Sequence, residues 1–175
     1  NNLLTLLAGV PSSVGEDFDC SNNKLTSLIN APKYVDGTFY CHYNNLTSLE
    51  GTPTNVGISF YCGNNELTSL KFAPTSVGRN FDCSYNELTS LEFAPKSVGY
   101  SFQCGENLLT SLQGAPEYVG GSFYCEGNKL ITNYIDDIVL GGKFYTSLEE
   151  DGLDILLSNA TNYKEWLFEK RIYDR

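Results

Sequence analysis

Methionine is absent from this 175-residue chain, histidine and tryptophan occur once each, and 11 basic residues face 21 acidic ones. No stretch approaches the roughly 20 apolar residues that a membrane-spanning helix needs, so membrane insertion is not expected and the chain reads as soluble. The shortage of lysine and arginine leaves a net charge of −10, which repels phosphate backbones and argues against direct nucleic-acid binding. Zinc sites use Cys or His pairs about two to four residues apart, and there are none. No Gly-rich phosphate loop or Ser-His-Asp set is present either. The chain is therefore read as a non-enzyme with no cofactor and no metal.

What is there is a period. Cys20, Cys41, Cys62, Cys83, Cys104 and Cys125 are the only cysteines, and each falls 21 residues after the last. All the prolines, Pro11 to Pro116, keep the same interval, as do Val14 to Val119, Phe18 to Phe123 and Asn23 to Asn128. The unit reads P-x-x-V-G-x-x-F-x-C-x-x-N-x-L-T-S-L-x-x-A, with Asp36 once in place of the glycine and Val10 and Thr52 in place of the alanine. A fixed period of about 20 to 30 residues marks a solenoid, whose coils bury their apolar faces only against one another.

The run V-G-Y-S-F-Q-C-G-E-N-L-L-T-S-L from Val98 to Leu112 resembles the leucine-rich repeat pattern L-x-x-L-x-L-x-x-N-x-L. Phe102, Cys104, Asn107 and Leu109 match its second to fifth marked places, and Val98 stands one residue early for the first. The short repeat with a proline on its return path is similar to the bacterial subclass, which implies short parallel strands and an extended, non-helical convex side; A-P stands where that subclass has L-P-x-L-P. A consensus with A-P, V-G and F-x-C in these places is also similar to that of repeat proteins of large tailed bacteriophages and some bacteria. The resemblance implies a scaffold able to serve many partners and no particular chemistry.

Alternation along F-x-C puts Phe39, Phe60, Phe81 and Phe102 and the cysteines on one face of a strand and the residue between them on the other. Parallel stacking at about 4.8 Å then sets the Phe, Cys, Val and two Leu of each coil over their counterparts. The cysteines are read as small apolar core fillers; a metal cluster and disulfides between adjacent coils are the alternatives. Thiolates would be costly in that core, and β-carbons of in-register neighbours point the same way instead of toward each other. Reduced thiols favour an intracellular or virion-associated setting. The asparagine ladder is expected to turn inward and hydrogen-bond the backbone where the strand ends.

Residues that vary between coils are where a partner would be read. The outward positions are expected to be Asp17, Asp19 and Ser21; Thr38, Tyr40 and His42; Ser59, Tyr61 and Gly63; Asn80, Asp82 and Ser84; Ser101, Gln103 and Gly105; Ser122, Tyr124 and Glu126. Tyr40 and Tyr61 should lie side by side, flanked by Asp19 and Asp82. Tyrosine brings much contact area at little entropy cost, though it also simply suits strands. His42 follows the inward Cys41 and is expected outside, as surface decoration and not as a base for the thiol. Phe72 and Phe93, at equivalent places on the return path, are expected to cover a thin part of the core; a second sticky patch is the other reading.

Two regions follow. Residues 1–130 are the solenoid, and because Asn2, Leu4 and Thr5 already match N-x-L-T, the chain is expected to open inside a repeat. The natural N-terminus is then missing, and an upstream signal peptide would leave secretion open. After Leu130 the period is expected to stop, and residues 131–175 to form a mostly helical C-terminal cap. Ser147-Leu-Glu-Glu150 has the form of a capping box, and a second helix is expected over about 162–173, with Trp166 either covering the last coil or binding a partner. Asn45-Leu-Thr47 and Asn159-Ala-Thr161 match glycosylation acceptors and are read as chance. The function expected is a non-enzymatic module that binds a protein partner through the outward face of its parallel sheet. Alternatives are a structural subunit of a virion, fibre or surface assembly, with self-assembly or virion neighbours, and an inhibitor of a host defence or DNA-binding protein.

Overall fold

The computed structural model describes residues 2–130 and 139–146, the backbone only at Val139 and Leu140. They wind into a parallel β-solenoid of about six turns with no helix. The expected C-terminal helices, with Trp166 and the Asn159 acceptor, lie outside the described residues.

Each coil contributes two short strands. One series consists of β1 (Ser13–Val14), β3 (Tyr34–Val35), β5 (Asn55–Val56), β7 (Ser76–Val77), β9 (Ser97–Val98), β11 (Tyr118–Val119) and β13 (Val139–Leu140). The other consists of β2 (Phe18–Asp19), β4 (Phe39–Tyr40), β6 (Phe60–Tyr61), β8 (Phe81–Asp82), β10 (Phe102–Gln103), β12 (Phe123–Tyr124) and β14 (Phe144–Tyr145). The second series forms one seven-stranded sheet; the first forms a three-stranded sheet from β1 to β5 and a four-stranded one from β7 to β13. Pairing is in register at a shift of one repeat, so Phe39 lies over Phe18 and under Phe60.

Register turns sequence identity into packing. The phenylalanines stack from Phe18 to Phe144 with ring centroids 5.1 to 5.6 Å apart, close to the strand spacing of about 4.8 Å. Val35, Phe39, Cys41, Leu46 and Leu49 of one coil are fully buried, and their counterparts from Val56 to Leu112 are nearly as closed. All six cysteines are free and buried, and Sγ of Cys20, Cys41, Cys83, Cys104 and Cys125 donates to a backbone carbonyl of the next coil at 3.2 to 3.5 Å. The glycine of V-G is kept by the closeness of the coils: a β-carbon at Gly99 would run into the carbonyl oxygen of Gly78.

The asparagines fill the turn as expected. Asn44 Nδ2 donates to Cys41 O in its own coil at 3.1 Å and to Cys20 O in the coil before at 3.0 Å, and its Oδ1 accepts from Leu25 N at 3.0 Å. Asn65, Asn86 and Asn107 repeat this set. Each asparagine thus closes one turn and ties it to its neighbour.

Three expectations are corrected. The phase does not stop at Leu130: β13 and β14 pair with β11 and β12 at the same shift, Leu140 over Val119 and Phe144 over Phe123. Thr38, Ser59 and Ser101, taken as outward, are buried. They precede the strand, where its parity does not apply, and residues at this position bond the next coil: Ser59 Oγ accepts from Asn80 N at 3.0 Å and Asn80 Oδ1 from Ser101 N at 3.2 Å. Phe72 and Phe93 do not cover the core, being 50% and 53% exposed. Both are in the left-handed region at φ 74° and 69°, where the equivalent residues are Asn30, Gly51 and Gly114.

Candidate binding face

The outward residue of each strand in the seven-stranded sheet forms one in-register row: Asp19, Tyr40, Tyr61, Asp82, Gln103, Tyr124 and Tyr145. Apart from the exposed Asp19 these side chains are partly exposed, because neighbours about 4.8 Å away shield one another. Tyr40 and Tyr61 stack with centroids 5.2 Å apart and planes 4° from parallel. Tyr124 and Tyr145 do the same at 4.5 Å and 2°. The row is therefore two tyrosine stacks separated by Asp82 and Gln103.

Polar contacts hold the first stack upright. Asn80 Nδ2 donates to the Tyr61 hydroxyl at 3.1 Å, and His42 stands edge-on to Tyr40, Tyr43 and Tyr61 at 5.9, 5.6 and 6.4 Å. His42 is only partly exposed, and its Nδ1 is buried without a hydrogen-bond partner. Asp19 Oδ1 accepts from Ser21 N at 2.8 Å and Asp82 Oδ1 from Ser84 N at 2.9 Å, so both carboxylates are fixed by the same local turn. Asp17, by contrast, accepts from Thr38 N at 2.7 Å in the next coil. The one ion pair among the described residues, Lys96 with Glu117, is exposed and away from the row.

The structure thus brings Asp19, Tyr40, His42, Tyr61 and Asp82 together, and sets Gln103 and Tyr124 further along the same row. Sequence reasoning missed Tyr145, whose signal was the recurrence of F-Y at the same interval after Phe123-Tyr124. It also missed Tyr43 and Tyr85, which are 55% and 57% exposed in left-handed turns at φ 53° and 54°; Asn22, Asn64 and Gly127 at the same place in other coils were the sign of such a turn.

Behind this face the thiols are chemically quiet. Burial, with a smaller push from the neighbouring Asp19, raises Cys20 to about 12 from 9.0; burial also raises Cys125 to about 12. Cys41, Cys62, Cys83 and Cys104 are pushed well above 9.0 by burial first and then by adjacent thiols. A nucleophilic or metal-binding thiolate needs the opposite environment. Among the described residues no group of three or more His, Cys, Asp or Glu is placed to hold a metal ion, and no helix is long and apolar enough to cross a membrane.

Family models, curated proteins and solved structures were compared with the chain, and none matches.

Proposed function

We propose that this chain is a leucine-rich-repeat-type recognition module that binds a protein partner through the outward face of its seven-stranded sheet. The row from Asp19 to Tyr145 carries the reading. It presents four tyrosines as two stacked pairs on a rigid in-register backbone. Tyrosines held in this way contribute contact area without much further loss of rotamer freedom, as at binding hot spots. The residues facing inward are accounted for by packing and backbone bonding, whereas this row differs in kind from coil to coil.

The test begins with the native protein, isolated intact, with its bound macromolecules identified by mass spectrometry and their stoichiometry set by light scattering. Tyr40→Ser with Tyr61→Ser is then expected to weaken binding of the identified protein at least tenfold. Affinity within twofold of the wild type would remove the reading. A second reading, a structural subunit with fixed contacts on a flat face, is favoured by Phe72 and Phe93, which present exposed rings on adjacent coils. A large ordered assembly in the same light-scattering measurement would support it.

A further inference from the structure

We propose that the two outer ends of the Tyr40–Tyr61 stack are slots for arginine side chains, so that the protein read by this face presents a basic, arginine-bearing segment. This rests on the sheet-face reading above and specifies its partner.

Stacking occupies one face of each ring. The other face of Tyr40 looks along the row to Asp19, its in-register neighbour, and the other face of Tyr61 looks to Asp82. Each end therefore sets an aromatic face beside a carboxylate one strand away, with Asp19 the more exposed of the two acids and Asn80 on the Tyr61 hydroxyl at the Asp82 end. Each carboxylate commits one oxygen to the N–H two residues on. That bond fixes its direction and leaves the second oxygen available.

Among the described residues neither acid is paired with a cation. The outward row from Asp19 to Tyr145 includes no lysine or arginine, and the chain carries a net charge of −10. Electrostatic complementarity therefore calls for a cation at both ends of the stack. Arginine suits the shape: its planar guanidinium lies flat on an aromatic face while its edge donates to a carboxylate, which the compact ammonium of lysine cannot do as well. A quaternary ammonium would need ring faces that converge into a cage, and here the two free faces point away from each other. The rings are held before any ligand arrives, by Asn80 on the Tyr61 hydroxyl and His42 against both edges. The slots lie two strand spacings apart, about 10 Å, which matches arginines seven positions apart on a helix at about 1.5 Å per residue.

The experiment uses the full chain and an alanine- and glutamine-based helical peptide carrying two arginines at that spacing, followed by NMR of the tyrosine ring protons. Saturable shifts are expected at Tyr40 and Tyr61, with the lysine counterpart binding at least fivefold more weakly. Asp19→Asn with Asp82→Asn should weaken the arginine peptide at least fivefold; asparagine keeps a carbonyl oxygen for Ser21 and Ser84, so the turns survive. Equal binding of the arginine and lysine peptides, or indifference to the asparagine substitutions, would overturn the slots. The natural partner separates the two proposals. Binding that needs Tyr40 and Tyr61 but tolerates both asparagines keeps the face and discards the slots, and binding that needs none of the four discards both.

Discussion

Asn107 reaches back 24 residues to Cys83, donating from Nδ2 to its carbonyl oxygen at 3.1 Å, while its Oδ1 accepts from Leu88 N at 3.0 Å. The same amide donates to Cys104 O at 3.1 Å, so one nearly buried side chain closes its own turn and holds the coil before it. Asn107→Ala leaves the buried Leu88 N without a partner, while Cys83 O and Cys104 O each keep one donor, Asn86 and Asn128. One such group costs about 1 to 3 kcal/mol, and the substitution is expected to destabilise the chain by about 2 kcal/mol in urea unfolding. Amide exchange at Leu88 should accelerate with it. A loss within experimental error would show that water replaces the side chain at no cost.

The thiol ladder predicts a steep alkaline limit. Folded-state values raised above 9.0 mean that between that pH and about 12 the unfolded chain has released protons that Cys20 and Cys125 still hold. Stability is thus full below pH 9 and falls as pH rises, by about 1.4 kcal/mol per pH unit for each thiol. The other four thiols are shifted in the same direction. Urea midpoints at pH 8, 9 and 10 should drop sharply over the last interval, and less so when Cys41 and Cys83 are replaced by alanine. At pH 8 a polar thiol reagent should leave all six unlabelled; rapid labelling of several would contradict their burial.

These ladders were legible in the sequence for a physical reason. Parallel in-register stacking makes every coil solve the same packing problem, so Phe39, Cys41, Asn44, Leu46 and Leu49 recur as residue types and their inward direction follows from strand parity. The row of Tyr40 and Tyr61 between the acids followed from the same parity. Parity failed one step before the strand, where Thr38 and Ser59 are turned under the next coil. The period was lost after Leu130 because the marker residues change: Leu140 stands for valine and Thr146 for cysteine, while Gly141 and Phe144 keep the phase. The three-stranded sheet with Val35 at its centre and the four-stranded one beyond it were not read because each of their coils offers one recurrent inward marker, the valine, where F-x-C offers two in alternation.

His42 offers a sharper check on the face. Its Nδ1 is buried with no partner while its ring packs on three tyrosines. Replacing an unpaired buried polar group by an apolar one of similar shape removes a desolvation cost, so His42→Phe is expected to raise stability by about 1 kcal/mol. Thermal unfolding measures this directly. A destabilised variant would mean that the nitrogen is already satisfied by solvent.

Phe72 and Phe93 should also be expendable for folding. Both hold the left-handed conformation with half their surface exposed, a backbone state that costs an ordinary residue about 1 to 2 kcal/mol and that asparagine tolerates. Asn30, at the equivalent place, adopts φ 73° and donates from Nδ2 to Leu7 O in the coil before at 3.1 Å. At position 93 asparagine can make the equivalent bond, to Leu70 O; at position 72 Leu49 O already accepts from Thr52 N and Thr52 Oγ1, and the gain there is relief of backbone strain alone. Phe72→Asn with Phe93→Asn is expected to stabilise the chain by about 2 kcal/mol, read as a higher urea midpoint at unchanged slope. Strain retained at exposed aromatic positions is a reason to look for a contact there. The same variant therefore reports on the structural reading: an assembly that loses its order when the folded chain has become more stable uses these rings between subunits, and one that keeps it does not.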